Sequence, residues 1–249
     1  MKFSKSFKIY FFLILMLAVL AATITFLPEG TYLPTIAEPE LQDLKIAIAL
    51  INFLIMFVLY GFLGFLGLWF SQKLEFPKIW ESRISNKQRF LYPAVIGICV
   101  GVFFIILDLI LSRFHSLGRL PHPPFPTSLI ASIIASIGEE VIFRLFFISF
   151  WVWVISYLIL KGRWQNRIFW LITIISAFLF SFSHIPTVKY IMGFGNIGEI
   201  PHALMIEIIV LNGVLSLFAA YFFRKYGFLA AVGIHLWTDI VWHVIYGFF

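Results

Sequence analysis

Long apolar stretches dominate the chain and alternate with short polar segments. Seven of them reach or approach the roughly 20 residues that a helix needs to cross a bilayer, and they lie at 9–27, 46–70, 91–111, 128–160, 168–185, 203–223 and 228–248. The pattern predicts an all-α polytopic transmembrane bundle of about seven spans, or eight if the long fourth stretch is divided. That stretch could be a tilted helix, a helix continuing into the cytoplasm, or a span followed by an interfacial segment.

Composition supports a membrane protein. The chain is 61% hydrophobic and 12% charged, whereas soluble domains carry about 25% charged residues. The first stretch follows three lysines, as a signal peptide would, but its apolar run exceeds the roughly 7–15 residues of such a signal, so we expect a retained span. The lone Cys99 allows no intrachain disulfide. These features predict an integral protein of the lipid bilayer, in the cell (plasma) membrane.

The lysines and arginines are distributed unequally between the two ends of the spans. Four lie at one end, at Lys45, Arg113, Arg119 and Lys189. Thirteen lie at the other end, which also holds the N-terminus: Lys2, Lys5, Lys8, Lys73, Lys78, Arg83, Lys87, Arg89, Lys161, Arg163, Arg167, Arg224 and Lys225. The positive-inside rule therefore predicts a cytoplasmic N-terminus. The positive charge reports topology, so no nucleic-acid partner is expected.

Three charged residues interrupt the fourth stretch, at Glu139, Glu140 and Arg144. A charge at the centre of a bilayer costs roughly 2.5–3.5 kcal/mol on insertion scales, so this cluster needs a partner or a function. Glu140 and Arg144 are four residues apart and share a helix face, where they can form an ion pair. Glu139 is turned about 100° away and is left to face another group.

Two later stretches carry further polar pairs. The fifth contains Phe180 and His184 in the pattern F-x-x-x-H, and the seventh contains His235 and Asp239 in the pattern H-x-x-x-D. The members of each pair are four residues apart and therefore lie on one helix face. Such groups avoid lipid, so two histidines and three acids on three spans predict one shared polar cavity.

The remaining polar residues within or between the stretches have structural explanations. Asp108 lies close to Arg113 and is expected at the membrane interface, and Glu207 is a weaker candidate for the site. The others are Asn52 and Asn212, expected to form interhelical hydrogen bonds, and the loop histidines His115, His122 and His202, expected to be solvated.

The chemistry of such a cavity allows two interpretations. A carboxylate beside a histidine can activate water as a general base, and a second histidine with an acid can hold the developing oxyanion; this glutamate-type mechanism requires no cofactor. Alternatively, His184, His235 and Glu139 could bind a divalent metal such as zinc and leave one position for water. The sequence contains neither H-E-x-x-H nor G-x-S-x-G.

The three motifs, in this order on successive late spans, resemble the CPBP intramembrane proteases. That family includes CAAX prenyl proteases of the Rce1 type and the Abi proteins of bacteriocin processing or immunity. The resemblance covers a catalytic domain at residues 128–249, whereas residues 1–111 form N-terminal transmembrane helices of unassigned role. It implies an intramembrane endopeptidase that cleaves a membrane-associated protein or peptide, through CAAX-type processing or removal of a leader or anchor.

The resemblance also implies roles for individual residues. Glu139 would be the general base that activates water together with His184, and His235 with Asp239 would stabilise the oxyanion. Phe180 would support the site, and Glu140 and Arg144 would be the structural ion pair. CAAX-processing members typically carry Asn where this chain has Asp239, and an ionised Asp would repel an oxyanion unless protonated or bound to His235.

Two other functions fit the same residues. The chain could be a non-catalytic bacteriocin-immunity or scaffold protein, or a proton-coupled carrier, although a carrier would predict internal repeats, which the sequence does not show. The estimated depth of Glu139 favours the outer half of the bilayer, whereas a CAAX substrate would come from the cytoplasm. Either the span ends are misplaced or cleavage takes place at the outer face.

Overall fold

Seven long helices make up the bundle. The structure is a computed structural model that describes residues 4–28 and 41–249, so Lys2 lies outside the described residues. Within them every regular element is helical, and seven helices are long and apolar enough to cross a membrane. We label these α1 (Lys5–Phe26), α2 (Leu44–Lys73), α3 (Lys87–Phe114), α4 (Thr127–Ile159), α5 (Gln165–Ile191), α6 (His202–Tyr226) and α7 (Phe228–Phe248). The all-α polytopic fold is confirmed.

Helix α4 accounts for the unusually long fourth stretch. It begins directly after Pro126 and stays helical for 33 residues. Its α-helical turns at Thr127–Glu140 pass into wider π-helical turns at Val141–Ile148, and the same alternation repeats in Ser149–Val152 and Trp153–Ile159. π-Helical turns occur often at functional sites, and here the first of them follows Glu140.

Helix α5 extends beyond its predicted end. The stretch was expected to stop at residue 185, but the helix continues through Pro186 to Ile191, so that boundary is wrong. Proline removes one backbone hydrogen bond from a helix interior. Ile185 belongs to a buried apolar cluster with Leu204 on α6, and Val188 packs against that cluster, which stabilises the additional turn.

Helices α3 and α7 approach each other through glycines. A Cβ atom on Gly97 would lie 2.6 Å from the carbonyl oxygen of Ile234, and one on Gly101 would lie 2.6 Å from the Val241 side chain. The Thr238 hydroxyl donates to the Gly97 carbonyl at 3.1 Å. Small residues spaced by four permit such close packing between membrane helices. The contacts of Gly97 and Gly101 fix the position of α7, the helix that carries His235.

The connections define two ends of the bundle. The basic end contains residues 74–86, residues 160–164 and Gly227, which joins α6 to α7. Gly227 has φ +86°, a region that glycine adopts readily. The loop end contains residues 115–126, residues 192–201 and the last residue, Phe249.

Three buried apolar clusters lie among the described residues, and the two larger ones fill most of the bundle. The basic-end core includes Leu74, Phe76, Ile79, Leu145, Ile148, Phe169, Phe223 and Phe228. The site cluster includes Phe104, Phe180, Leu211, Leu215, Ile234 and Trp242. Both hold the inward faces of α4, α5, α6 and α7 together, which places their polar residues opposite one another.

Candidate active site

Glu139 and Glu140 point into different surroundings, as the helix geometry predicts. The Glu140 side chain is completely buried, whereas 31% of the Glu139 side chain is exposed. Oε1 of Glu140 lies 3.2 Å from Nη1 of Arg144, which is also completely buried. The predicted contact between these two charges is therefore present in the structure.

His235 connects the two glutamates. Its Nδ1 lies 2.9 Å from Oε1 of Glu140, at hydrogen-bond distance. Its Nε2 lies 3.7 Å from Oε2 of Glu139 and 3.5 Å from Oδ2 of Asp239. The imidazole is almost fully buried, with 3% of the side chain exposed, so both of its nitrogens face carboxylates within the bundle.

His184 lies on the other side of Glu139. Its Nδ1 is 2.8 Å from the carbonyl oxygen of Phe180 and its Nε2 is 3.9 Å from Oε1 of Glu139. A nitrogen facing a carbonyl must carry the hydrogen, so Nδ1–H donates and Nε2 is directed at Glu139. About a third of the His184 side chain is exposed.

Phe180 is the centre of the apolar support. Its ring is completely buried, and its centroid lies 4.9 Å from the ring of His184 and 5.9 Å from that of His235. The guanidinium carbon of Arg144 lies 4.7 Å from the same ring centroid, within cation–π range. One phenylalanine thus contacts both histidines and the buried cation.

These groups meet at the inner end of a cavity of about 300 Å³. Glu139, His184, His235 and Asp239 all line it, so the structure brings the four predicted catalytic residues to one place. Glu140, Arg144 and Phe180 lie behind them and do not line it. The rest of the wall is largely apolar and includes Phe104, Val188, Ile191, Leu211, Leu215 and Trp242.

The alternative of a metal held by His184, His235 and Glu139 does not fit this geometry. Among residues 4–28 and 41–249, no three histidine, cysteine, aspartate or glutamate side chains are arranged to hold a metal ion together. The Nδ1 atoms of His184 and His235 face Phe180 and Glu140, and both Nε2 atoms are directed at Glu139. The chemistry below is therefore built on the side chains alone.

Other polar residues pack against the loop 115–126, where the expectation that His115 is solvated is wrong, because its side chain is buried. Asp108 is fully buried, and it accepts hydrogen bonds from the Leu120 N–H at 2.9 Å and the Tyr246 hydroxyl at 2.8 Å. Glu207 does not line the cavity and lies 3.9 Å from the buried side chain of His115. These buried contacts hold the loop 115–126 against the bundle.

His122 is also packed rather than solvated. It contacts the rings of Trp242 and Tyr246, and its Nδ1 lies 3.1 Å from Nδ1 of His243. Burial lowers the pKa of His122 from 6.5 to about 4, against the opposing effect of Asp108. His202 is exposed, as expected. Asn52 forms the expected interhelical hydrogen bond, with Thr25 on α1. The expectation for Asn212 is wrong, because its side chain donates to the Ile208 carbonyl of its own helix.

One functional contact has no signal in the sequence. The hydrogen bond between His235 and Glu140 joins residues 95 positions apart, and no local spacing predicts which histidine the structural glutamate will meet. The burial of Asp108 and Glu207 could have been suspected, because acids inside apolar stretches avoid lipid.

Comparison with known proteins supports the motif analysis. Residues 121–241 match the family model described as "Type II CAAX prenyl endopeptidase Rce1-like". The match begins in the loop before α4 and includes every residue of the three motifs. No curated protein and no solved structure matches the chain.

Proposed function

The chain belongs to the Rce1-like family of type II CAAX prenyl endopeptidases and is an intramembrane protease, and we propose that it hydrolyses its substrate with water activated by Glu139 and His184. The observation that carries this proposal is the convergence of Glu139, His184 and His235 at the inner end of one cavity. The substrate is a membrane-associated protein or peptide cleaved at a CAAX-type, leader or anchor site.

Glu139 and His184 are suited to bind the attacking water. The 3.9 Å between Oε1 of Glu139 and Nε2 of His184 exceeds a hydrogen bond, yet one water can contact both atoms. His184 donates through Nδ1 to the Phe180 carbonyl, so its Nε2 can accept a hydrogen bond from that water. Among the described residues, Glu139 is the carboxylate that lies within 4 Å of Nε2 of His184, and it would take the proton.

His235 and Asp239 lie opposite the water position. With both ring nitrogens protonated, His235 donates Nδ1–H to Glu140 and directs Nε2–H towards the cavity, where it can donate to the oxygen of a bound carbonyl. Asp239 lies 3.5 Å from the same Nε2 and holds the ring from the cavity side. A donor placed in advance at the developing oxyanion lowers the barrier because it needs no reorganisation.

The proton balance of the reaction closes with these groups. Glu139 removes a proton from water, and the resulting hydroxide attacks the carbonyl carbon while His235 faces the oxyanion. The tetrahedral intermediate then breaks its C–N bond, and Glu139 returns the proton to the departing amine. The products are a carboxylic acid and a neutral amine, and Glu139 ends ionised; the proton of the new acid then passes to the amine or to solvent.

Glu140 and Arg144 have a positioning role. Both are completely buried, and Glu140 contacts Arg144 and His235 through one oxygen, Oε1. The pair therefore sets the orientation of His235 without reaching the cavity. Removing either member would leave an unpaired charge inside the bundle.

Peptide cleavage by the purified protein in detergent tests the proposal. A library of membrane peptides, with and without a prenylated C-terminal cysteine, is screened with wild type, Glu139→Gln and Glu75→Gln. Glu75 is an exposed carboxylate at the basic end, so its variant controls for the substitution itself. General-base catalysis typically contributes about 10²- to 10⁴-fold, and we expect a loss of this size in Glu139→Gln alone.

The outcomes separate the candidate functions. Cleavage that persists in a chelator and is lost in Glu139→Gln supports the glutamate mechanism. If wild type and Glu139→Gln cleave the library equally, the proposed role of Glu139 is wrong. Complete loss in chelator, restored by added zinc, would contradict a mechanism built on side chains alone.

A further inference from the structure

The cavity extends from the candidate catalytic residues in one direction. Its wall beyond them consists of residues that approach the loop end: Leu120, Pro121 and Pro123 in the loop 115–126, Thr187, Ile191 and Met192 at the end of α5, and Trp242 and His243 on α7. Thr187, Ile191 and Met192 lie closer to the loop end than His184, Trp242 and His243 lie closer to it than Asp239, and the other three belong to the loop itself. The mouth is therefore at the loop end.

The opposite direction is closed. Leu145 and Ile148 on α4 come one to two turns after Glu140 and are at most 1% exposed, and they belong to the basic-end core together with Phe169 and Phe223. Phe76 and Ile79, from the connection 74–86, pack into the same core. A substrate thus meets a filled interior between the basic end and Glu139.

A second cavity, of about 340 Å³, also reaches Glu139 from the loop-end half. It lies between α1, α2 and α4 and is lined by Ile24, Asn52, Tyr60, Ala131 and Ala135, with Glu139 at its inner end. Ile24 and Ala131 lie near the ends of their helices that face the loop end. Both open spaces beside the catalytic glutamate therefore point the same way.

The charges identify the basic end as cytoplasmic. Twelve of the described lysines and arginines lie there against four at the loop end, which is the asymmetry that fixes orientation in bilayers. The described ones include Lys5 and Arg89, whose charged groups lie 3.4 Å and 3.9 Å from the ring centroid of Trp80. A tryptophan among cations is typical of a membrane–water interface.

We propose that the active site is reached from the extracytoplasmic face, and that the substrate is an exported segment of a membrane-anchored polypeptide. This inference rests on the proposed function for the identity of the site, but its geometry does not depend on the mechanism. The apolar wall formed by Phe104, Leu211 and Leu215 fits an apolar residue beside the cleaved bond. A C-terminus presented from the cytoplasm would meet the closed side.

Cysteine labelling in intact cells tests the orientation. Cys99 is replaced by alanine, and single cysteines are introduced as Ser116→Cys at the loop end and Ser82→Cys at the basic end, two exposed serines. Thr187→Cys adds a position in the cavity wall. A membrane-impermeant maleimide is applied before and after permeabilisation, and labelling is expressed relative to the permeabilised sample.

The expected pattern is full labelling of Ser116→Cys and Thr187→Cys in intact cells, with Ser82→Cys labelled only after permeabilisation. The reverse pattern, or equal labelling of both ends in intact cells, would overturn the proposal. If Ser116→Cys is labelled in intact cells and Thr187→Cys is not, the inference that the cavity is open at the loop end is wrong. None of these readouts requires protease activity, so they stand apart from the Glu139→Gln assay.

The substrate side needs a second measurement. A peptide cleaved in the detergent screen is placed in two single-span reporters that differ only in which face of the membrane carries it. We expect cleavage of the reporter that exposes the peptide outside, and none of its cytoplasmic counterpart. Cleavage of the cytoplasmic reporter would contradict the proposed substrate class even if Glu139 is confirmed as the base.

Discussion

At the residue scale, Glu139 and Glu140 are neighbours in sequence with opposite surroundings. Glu140 is buried between Arg144 and His235, whereas Glu139 lines two cavities. The helix rotation of about 100° per residue accounts for the difference. Their proposed roles, a base for one and a positioning contact for the other, follow from what each can touch.

The buried charge pair allows a stability prediction. Arg144→Leu leaves Glu140 charged and partly unpaired inside the bundle, and breaking a buried pair costs about 3–5 kcal/mol. We expect a clearly lower melting temperature in detergent, measured against Arg163→Leu, an exposed arginine. The double variant Glu140→Leu/Arg144→Leu should recover stability but lose activity, because it removes the Glu140 carboxylate that orients His235. A stable single variant would contradict this account.

Asp239 offers a second test at this scale. A carboxylate 3.5 Å from Nε2 of His235 competes with an oxyanion for that nitrogen, and an asparagine amide can hold the ring without the charge. We expect Asp239→Asn to keep kcat/KM within about tenfold of wild type, since a single neutral hydrogen bond contributes about 1 kcal/mol. Asp239→Leu should lose activity more strongly. Inactivity of the asparagine variant would assign the carboxylate itself a catalytic role.

At the element scale, the α3–α7 contact positions the histidine. Gly97→Ala would place a Cβ atom 2.6 Å from the Ile234 carbonyl, next to His235, and force the helices apart. Overpacking costs about 1–3 kcal/mol, so we expect reduced thermal stability and reduced cleavage. Gly213→Ala on α6 is the matched control, because its Cβ would meet only Ser181 Oγ at 3.7 Å. Equal behaviour of the two variants would contradict the close contact.

The loop 115–126 makes stability depend on pH. His122 has a pKa of about 4 in the folded protein against 6.5 when unfolded. As the pH falls, the imidazole is therefore protonated in the unfolded chain before it is protonated in the folded protein. Its contribution is therefore present above pH 6.5 and is lost as the pH falls towards 4. Asp108, Arg119 and His243 face it and affect the same range. We expect His122→Phe to flatten the decline of melting temperature between pH 6.5 and 4; an unchanged slope would assign the decline to other groups.

At the scale of the whole molecule, most of the fold could be predicted from sequence. Seven apolar stretches reach or approach the length of a span. Hydrophobicity alone predicts their number, because only helices and closed barrels can cross a bilayer. The end of α5 could not be predicted, since a proline favours a helix end and the apolar cluster that contains Ile185 and Leu204 forms only in the folded bundle. The glycine contact of α3 with α7 was also missed, because partners across 140 residues leave no local pattern.

The candidate site could likewise be predicted only in part. The i,i+4 spacing of Glu140 with Arg144 and of His235 with Asp239 predicts contacts that the structure contains. The Glu140–His235 hydrogen bond and the second cavity beside Glu139 depend on how four helices meet. They could be found only once the chain was folded.

The most direct test of the central claim compares the two neighbouring glutamates in one assay. Cleavage rate and melting temperature are measured for Glu139→Gln and Glu140→Gln, with rates normalised to the folded fraction. We predict that Glu139→Gln melts like wild type and loses about 10²-fold or more in kcat, whereas Glu140→Gln melts at a lower temperature and keeps measurable turnover. An active Glu139→Gln beside a stable, inactive Glu140→Gln would exchange the two roles and contradict the mechanism.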